Sequence, residues 1–290
     1  MTLQQPLTST ARRMPTAGTL LRLIKPGVGA LLVFTAVMTT LAADNPWLSW
    51  SHLAALVAAG SLTASGAAAL NHVIDRKLDA LMPRTAGRPI PAGQISARGA
   101  LVWGLLLCAA GLTLGVLSLP REATLLILAG LLIYVPLYSY ALKRNTCWAV
   151  VIGGLAGCCP VLAGWAIARG DWPMLPLALA AVVFFWTPAH FWAYAIAHLE
   201  SYRLTGLPIL PCLIGIRATL PFILAHTLAA VIIAPLVLTG PAALIAGLSG
   251  ALLLGFCMSF CRTPDRRRAL RFYHVSNYYL ALVFLSLLAL

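Results

Sequence analysis

The chain has 290 residues and a net charge of +13, yet only 9% of its residues are charged while 61% are apolar. Soluble domains carry about 25% charged residues, and a water-facing surface cannot be assembled from so few, so a soluble globule is excluded. The same apolar content excludes a disordered chain. A polytopic helical membrane protein is the class that remains.

Residues 1–25 are polar and basic, with Arg12, Arg13, Arg22 and Lys25. No apolar stretch precedes a small-residue cleavage site, so they are expected to form a cytoplasmic N-terminal segment. A single transmembrane domain is expected over 26–290. Apolar runs of about 20 residues, the length a spanning helix needs, cover 26–43, 52–72, 97–119, 122–142, 147–168, 173–196, 217–238, 241–261 and 272–290. None shows the period of two that marks barrel strands. An all-α bundle of nine spanning helices is therefore expected. Short turns such as Leu238-Thr239-Gly240-Pro241 join them, and no internal repeat is visible.

The charges follow the helices. Of the 20 Lys and Arg residues, 18 fall on one side of the membrane and only Arg121 and Arg169 on the other. Basic loops stay cytoplasmic, so the N-terminus is expected inside and the C-terminus on the opposite side. This pattern accounts for the positive charge without a nucleic-acid partner. Cys108, Cys158, Cys159 and Cys257 lie within apolar runs, and no C-x-x-C pair occurs. They are expected to be small packing residues rather than redox or zinc ligands.

Only seven acidic residues are present. Asp44, Glu122 and Asp171 fall in the outer loops, and Asp265 sits beside Arg266-Arg267-Arg268. Asp75, Asp79 and Glu200 remain on the cytoplasmic side. Asn71, Asp75 and Asp79 recur every four residues, which places an amide and two carboxylates on one helix face. Like charges at that spacing repel, so a cation is expected between them. One reading pairs them with Arg76, Lys77 or Arg84. The other gives Asp75 and Asp79 a magnesium ion, which takes one or two carboxylates and bridges substrate phosphates. Beyond them, Pro83 and Pro89 break the helix and Gly87 permits a tight turn. Arg84 and Arg88 are then expected to fold back towards the acids, with Lys143 and Arg144 from the next basic loop as further phosphate partners. Acids for a metal and bases for a phosphate, facing a membrane interior, fit an isoprenyl diphosphate. Its C–O bond ionises once the leaving charge is neutralised.

Three segments carry a resemblance that spans nearly the whole chain: NHVIDRKLDALMPRTAGRP (71–89), YALKRNTCWAVVIGGLAGCCPVLAGW (140–165) and WTPAHFWAYAIAHLESYRLTGLPILP (186–211). In them the sequence resembles the UbiA-type membrane prenyltransferases, and among these the haem-farnesylating branch. The closing FYHVSNYYLALVF (272–284) is similar too. The resemblance implies Mg²⁺ and farnesyl diphosphate at Asn71, Asp75 and Asp79. It implies diphosphate contacts from Arg84, Arg88, Lys143 and Arg144, of which Lys143 and Arg144 join the two aspartates as catalytic residues. It also implies haem b as the acceptor, a bacterial inner-membrane location, and haem A synthase or oxidase assembly proteins as the candidate protein partners. The family's two adjacent acids before Tyr202 read Glu200-Ser201 here, so Glu200 alone is carried over as a metal ligand and Tyr202 as a substrate-binding residue. Further departures are Ala149, Cys159-Pro160 and Ala189.

On the sixth run His190, Tyr194 and His198 share one face at spacings of four. His190 is the one that matches the family pattern and is expected to contact haem, with Trp186, Phe191 and Trp192 as candidate aromatic walls. Competing readings are an aromatic-acid prenyltransferase of quinone synthesis, a transporter and a structural subunit. The first expects a different acidic second motif. The second expects repeats and midplane charges. The third leaves the Asn71–Asp75–Asp79 register without a purpose.

Overall fold

A computed structural model describes residues 16–43 and 48–290. Arg12 and Arg13 of the basic N-terminal segment, and Asp44 of the first outer loop, lie outside the described residues. All secondary structure among the described residues is helical. Among the described residues, eight helices are long and apolar enough to span a membrane, and a bent pair counted as one span makes a ninth, as the apolar runs led us to expect.

The bent pair is α1 (Ala17–Leu23) and α2 (Pro26–Ala42), which meet at 56°. Pro26 starts α2 at the first helical position, where its missing N–H costs nothing. Lys25 makes the corner in the left-handed region, with φ of 46°, a conformation that residues other than glycine seldom adopt. α3 (Trp50–Leu81) runs unbroken for 32 residues. Its last turns carry it past the 52–72 span expected from hydropathy alone, with Asp75 and Asp79 buried by neighbours while Arg76 and Lys77 face outward.

α4 (Ala97–Ser118) follows an irregular loop. α5 (Arg121–Leu132) continues directly into a π-helical segment, Ile133–Leu142, that contains Pro136. α6 (Ala149–Gly153) and α7 (Leu155–Ala168) form the next span. The long α8 (Met174–Ala197) then ends in two short helices, α9 (Leu199–Arg203) and α10 (Leu210–Leu213). α11 (Ile216–Val237), α12 (Gly240–Arg262) and α13 (Arg266–Ser286) complete the bundle.

Packing depends on small residues, as it must where lipid removes the hydrophobic drive between helices. At the α3–α4 crossing Gly111 lies against the backbone of Ala59 and Thr63, and Gly66 against Gly104 and Cys108. At the α2–α7 crossing Gly164 meets the Ala36 backbone. There the Thr40 hydroxyl donates to the carbonyls of Ala36 and Gly164 at 2.9 and 2.8 Å. The largest core joins α7, α8, α11, α12 and α13 around Trp192, Phe260, Phe272, Tyr279 and Phe284. Cys108, Cys158, Cys159 and Cys257 are buried and free, as packing residues. Leucines such as Leu105, Leu117, Leu244 and Leu248 face outward, where the bilayer replaces protein as their apolar surroundings.

A side chain at Gly111 would meet Ala59 O at 2.7 Å and Thr63 N at 2.8 Å. Gly111→Val is therefore expected to cost about 1–3 kcal/mol, the usual range for overpacking. Gly247→Ala, where a methyl group meets nothing within 4 Å, is expected to leave stability unchanged. Thermal unfolding of the detergent-solubilised protein distinguishes the two.

Candidate functional site

The polar stripe of α3 is buried: Asn71, Asp75 and Asp79 are each 3% exposed or less. Steps of four bring them to one face, and cations from two other segments meet them there. Lys143 Nζ donates to Asp75 Oδ2 at 2.5 Å, and Arg88 Nη1 to Asp79 Oδ1 at 2.7 Å. Pairing with Arg76, Lys77 or Arg84, the plainer expectation, does not occur. Arg76 instead bonds its own helix at the Val73 carbonyl, and Arg84 lies over the Tyr194 ring with its guanidinium carbon 5.4 Å from the centroid. Arg144 Nη2 reaches the Ile74 carbonyl at 2.8 Å and no carboxylate.

Asn71 is the hub of the stripe. Its amide nitrogen donates to Asp75 Oδ2 at 3.0 Å and to Ser139 Oγ at 3.1 Å. Its oxygen accepts from Lys25 Nζ at 2.6 Å. Neither Lys25 nor Ser139 was visible as a site residue in the sequence, where Lys25 reads as a topology charge and Ser139 as one serine in an apolar run. Ser139 comes to Asn71 from the π-helical segment, and its hydroxyl donates to the Tyr134 carbonyl five residues back. A π segment shifts the register of the residues after it, and such segments gather at functional sites. His72, to which the sequence assigned no role, is also buried, with Nδ1 3.8 Å from Asp79 Oδ2. Spacings of seven, two helical turns, bring residues to one face as spacings of four do.

The loop from Met82 to Ser96 closes over this end of α3. Thr85 is buried and its hydroxyl donates to the Asp79 carbonyl at 2.9 Å, satisfying a backbone group that the helix end leaves open. Arg22 of α1 holds the loop from outside, with Nη2 at 2.5 Å from the Gly87 carbonyl. Tyr202 of α9 is buried beside Met82, and burial pushes its phenol up to about 12 despite the opposing Arg84 charge. Glu200 departs from expectation. It lies on the outer face of the short α9, its side chain 83% exposed and paired with Arg203 at 2.9 Å. No group of three His, Cys, Asp or Glu side chains capable of holding a metal forms among the described residues.

An apolar cavity of about 670 Å³ opens between α2, α3, α5, α7, α8 and α13, within the range of ligand pockets. Lys25 lies at its polar end, so one side chain joins the cavity to the Asn71 hub. Along α3 the cavity runs from Ala68 to Leu56, about 18 Å at the helical rise. Gly27, Gly29 and Gly60 line it with no atom within 4 Å of where a side chain would begin. Trp186, His190 and Tyr273 form its aromatic wall. Of the other aromatics expected there, Phe191 packs near Tyr202 and Trp192 is fully buried among Trp148, Phe222 and His226.

Two carboxylate oxygens, Asp75 Oδ1 and Asp79 Oδ2, are buried without a hydrogen-bond partner. Each belongs to a group whose other oxygen is already on a cation. Buried polar atoms without partners are rare and costly, and hard anionic oxygens in this position suit a hard divalent cation. The donor set therefore fits magnesium at Asp75 and Asp79, and does not place Glu200 with them.

The sequence matches the UbiA prenyltransferase family over residues 31–288. It is 40% identical over 272 residues to the protoheme IX farnesyltransferase of Thermus thermophilus, covering 92% of this chain but only 45% of that longer protein. It is 39% identical over 273 residues to protoheme IX farnesyltransferase 1 of Pseudomonas fluorescens, covering 92% of this chain and 91% of that one. The chain thus spans about half the length of the Thermus relative and nearly all of the Pseudomonas one. Among solved structures, a UbiA homologue from Aeropyrum pernix superposes with a TM-score of 0.73 at 23% identity over 92% of this chain and 99% of that one. One from Archaeoglobus fulgidus, solved with DMAPP and Mg²⁺, superposes at 0.67 with 18% identity over 94% of this chain and the whole of that one. These likenesses show the fold.

The Arg88–Asp79 ion pair ties the Met82–Ser96 loop to α3. Asp79→Asn is expected to loosen that loop while leaving the bundle intact. Limited trypsin digestion of solubilised membranes should then cleave after Arg84 several times faster than in the wild type, Arg88 being protected in both by the Pro89 that follows it. Equal rates would show that the pair does not hold the loop.

Proposed function

The chain belongs to the UbiA prenyltransferase family, and from that premise we propose that it moves the farnesyl group of farnesyl diphosphate onto a vinyl group of haem b, giving haem O. The observation that carries the reading is the pair of buried carboxylates, each keeping one unpartnered oxygen, in a polar stripe joined through Asn71 and Lys25 to an apolar cavity. The names of the relatives, with close to 40% identity over nine-tenths of this chain, support haem b as the acceptor.

Asp75 and Asp79 would hold magnesium, which when bound neutralises the charge that develops on departing diphosphate. The chain's own cations do the rest. Lys143 and Arg88 sit on the carboxylates and present N–H groups where phosphoryl oxygens arrive, and Lys25 adds an ammonium from the cavity side. Charge-assisted bonds of this kind are the strong ones, and a preorganised set costs no rearrangement as the C–O bond breaks. Asn71 orients Lys25 and Asp75 together rather than being free for phosphate, since three side chains already engage its amide. Arg84, Arg144 and Tyr202 lie further out and serve the entering diphosphate. The apolar cavity receives the lipid chain and keeps water from the allylic cation. The vinyl carbon then forms a bond to that cation, and water adds to the neighbouring carbon and loses a proton, which the diphosphate can carry away.

The basic loops support a cytoplasmic N-terminus and a C-terminus on the opposite side of a bacterial inner membrane. The described bundle reads as one transmembrane domain over 26–290 with a basic leading segment. Haem A synthase or oxidase assembly proteins are the partners that would take the product.

Membranes containing the protein, incubated with haem b, farnesyl diphosphate and Mg²⁺, should yield hydroxyethylfarnesyl haem, identified by chromatography and mass. Product from a phenolic acid in place of haem b would overturn the acceptor. Chelation should stop turnover and added Mg²⁺ should restore it. Asp75→Asn is expected to lower the rate at least 100-fold, in line with losing a major electrostatic contribution to the transition state, with membrane insertion unchanged. Full activity in that variant would remove the metal site.

A further inference from the structure

His190 is held differently from His198 and His226. His198 and His226 point Nδ1 at carbonyls of their own helix, Tyr194 O at 3.0 Å and Phe222 O at 2.8 Å. That is ordinary packing. His190 is instead gripped by α13. Its ring stacks on Trp186 with centroids 4.2 Å apart and on Tyr273 at 4.3 Å, and its Nδ1 lies 2.8 Å from Ser276 Oγ. Two neighbouring rings and one edge bond leave the imidazole no free rotation. The remaining edge carries Nε2, and His190 lines the cavity.

The hydroxyl decides the tautomer. A serine O–H has one proton and two lone pairs. Ser276 Oγ donates that proton to the Tyr273 carbonyl at 2.8 Å. It must then accept from His190, so the imidazole proton sits on Nδ1 and Nε2 keeps its lone pair. The backbone carbonyl of the same Ser276 accepts from Trp186 Nε1 at 2.8 Å. One residue thus fixes both the imidazole and the indole stacked on it. Ser276 is 1% exposed and does not line the cavity, so it acts on a ligand only through these two side chains.

We propose that Ser276 is a positioning residue that presents the Nε2 lone pair of His190 to the cavity, where it ligates the iron of the porphyrin acceptor. This rests on the haem reading above. A neutral imidazole whose other nitrogen donates a hydrogen bond is the usual form of a histidine metal ligand. Outer-shell partners of such ligands change metal affinity by about 10–100-fold when removed.

The test needs no farnesyl diphosphate. Purified protein in nanodiscs is titrated with haem b, following affinity and the absorption spectrum, and separately with iron-free protoporphyrin IX. The wild type is expected to show an imidazole-ligated haem spectrum. His190→Gly should lose it, and added imidazole should restore it. Ser276→Ala should weaken haem b about tenfold and leave protoporphyrin IX binding unchanged, while Ser276→Thr, which keeps the hydroxyl, should behave as the wild type. An unchanged spectrum and affinity in Ser276→Ala would overturn the proposal, as would equal weakening of both porphyrins, which would mean packing alone. If Ser276→Ala does not fold, the His190→Gly rescue still decides whether Nε2 meets iron. A wild type that forms haem O while Ser276→Ala binds haem b normally removes only this inference. A wild type that binds neither porphyrin yet prenylates a phenolic acid removes the haem reading with it.

Discussion

Two carboxylates one helical turn apart, buried at the end of a membrane helix, are the constraint around which the rest of the molecule is arranged. Each is 2% exposed or less, and a buried charge without a partner is among the most expensive features a fold can contain. The bundle answers with cations drawn from separate parts of the chain. Lys143 follows the π-helical segment, Arg88 comes from the α3–α4 loop, and Lys25 stands at the α1–α2 corner beside Asn71. Each of these elements is shaped by that meeting. The π segment carries Ser139 and Lys143 inward. The proline-bounded loop folds back so that Arg88 reaches Asp79. The corner at Lys25 takes a left-handed backbone that costs of the order of 1–3 kcal/mol. The compensation is incomplete, because one oxygen of each carboxylate is still without a hydrogen-bond partner, and that remainder is what the proposed divalent cation would satisfy.

Much of this was legible in the sequence because its signals are periodic. Spanning helices announce themselves by length and hydropathy, and the steps of four from Asn71 to Asp79 place three polar groups on a face whatever the surroundings. The return of Arg88 also follows from local chemistry, since Pro83, Gly87 and Pro89 leave the chain little choice but to turn. What stayed hidden depends on tertiary contacts. Lys25 looks like any inside-positive lysine until the corner aims it at Asn71. Ser139 needs the π register, which hydropathy does not report, and His72 needs the second helical turn to be counted. Glu200 shows the converse. A residue carried over by likeness of motif lies on a short helix whose outer face offers it Arg203, and nothing in the local sequence draws it inward. Likewise Trp192, one position from Phe191 and two from His190, turns into the core, because a helix step of two lands nearly on the opposite side.

The cavity unites the polar end with the aromatic wall. Lys25 belongs to both: its side chain lines the cavity and its ammonium bonds Asn71. A prenyl diphosphate bound here would cross from charged to apolar surroundings at the level of Lys25, which is where its C–O bond joins the two halves of the molecule. The leaving group would then depart towards the cations Lys25, Arg88 and Lys143. In the proposed reaction the carbocation would be left beside Gly27, Gly29 and Gly60, in the mainly apolar part of the cavity. Such a partition would favour capture over hydrolysis, because water is favoured on the charged side of the boundary.

On the far wall the chemistry is again a matter of what is already occupied. Of the two nitrogens of His190, one is committed to Ser276 and the other is not, and the rings of Trp186 and Tyr273 prevent the imidazole from exchanging them. The donor end holds its carboxylates by the same rule, with one atom tied and one left open. In both places the fold spends a neighbouring element on fixing orientation, α13 for the imidazole and the basic loops for the aspartates, so that a flexible side chain is left with a single usable edge. On the proposed reading, a nitrogen lone pair on the cavity wall and a pair of anionic oxygens beyond its Lys25 end would keep a metalloporphyrin and a diphosphate from exchanging places. Imidazole nitrogen suits iron and carboxylate oxygen suits magnesium, so the two ends of the proposed site would sort the two substrates by the chemistry of their donors.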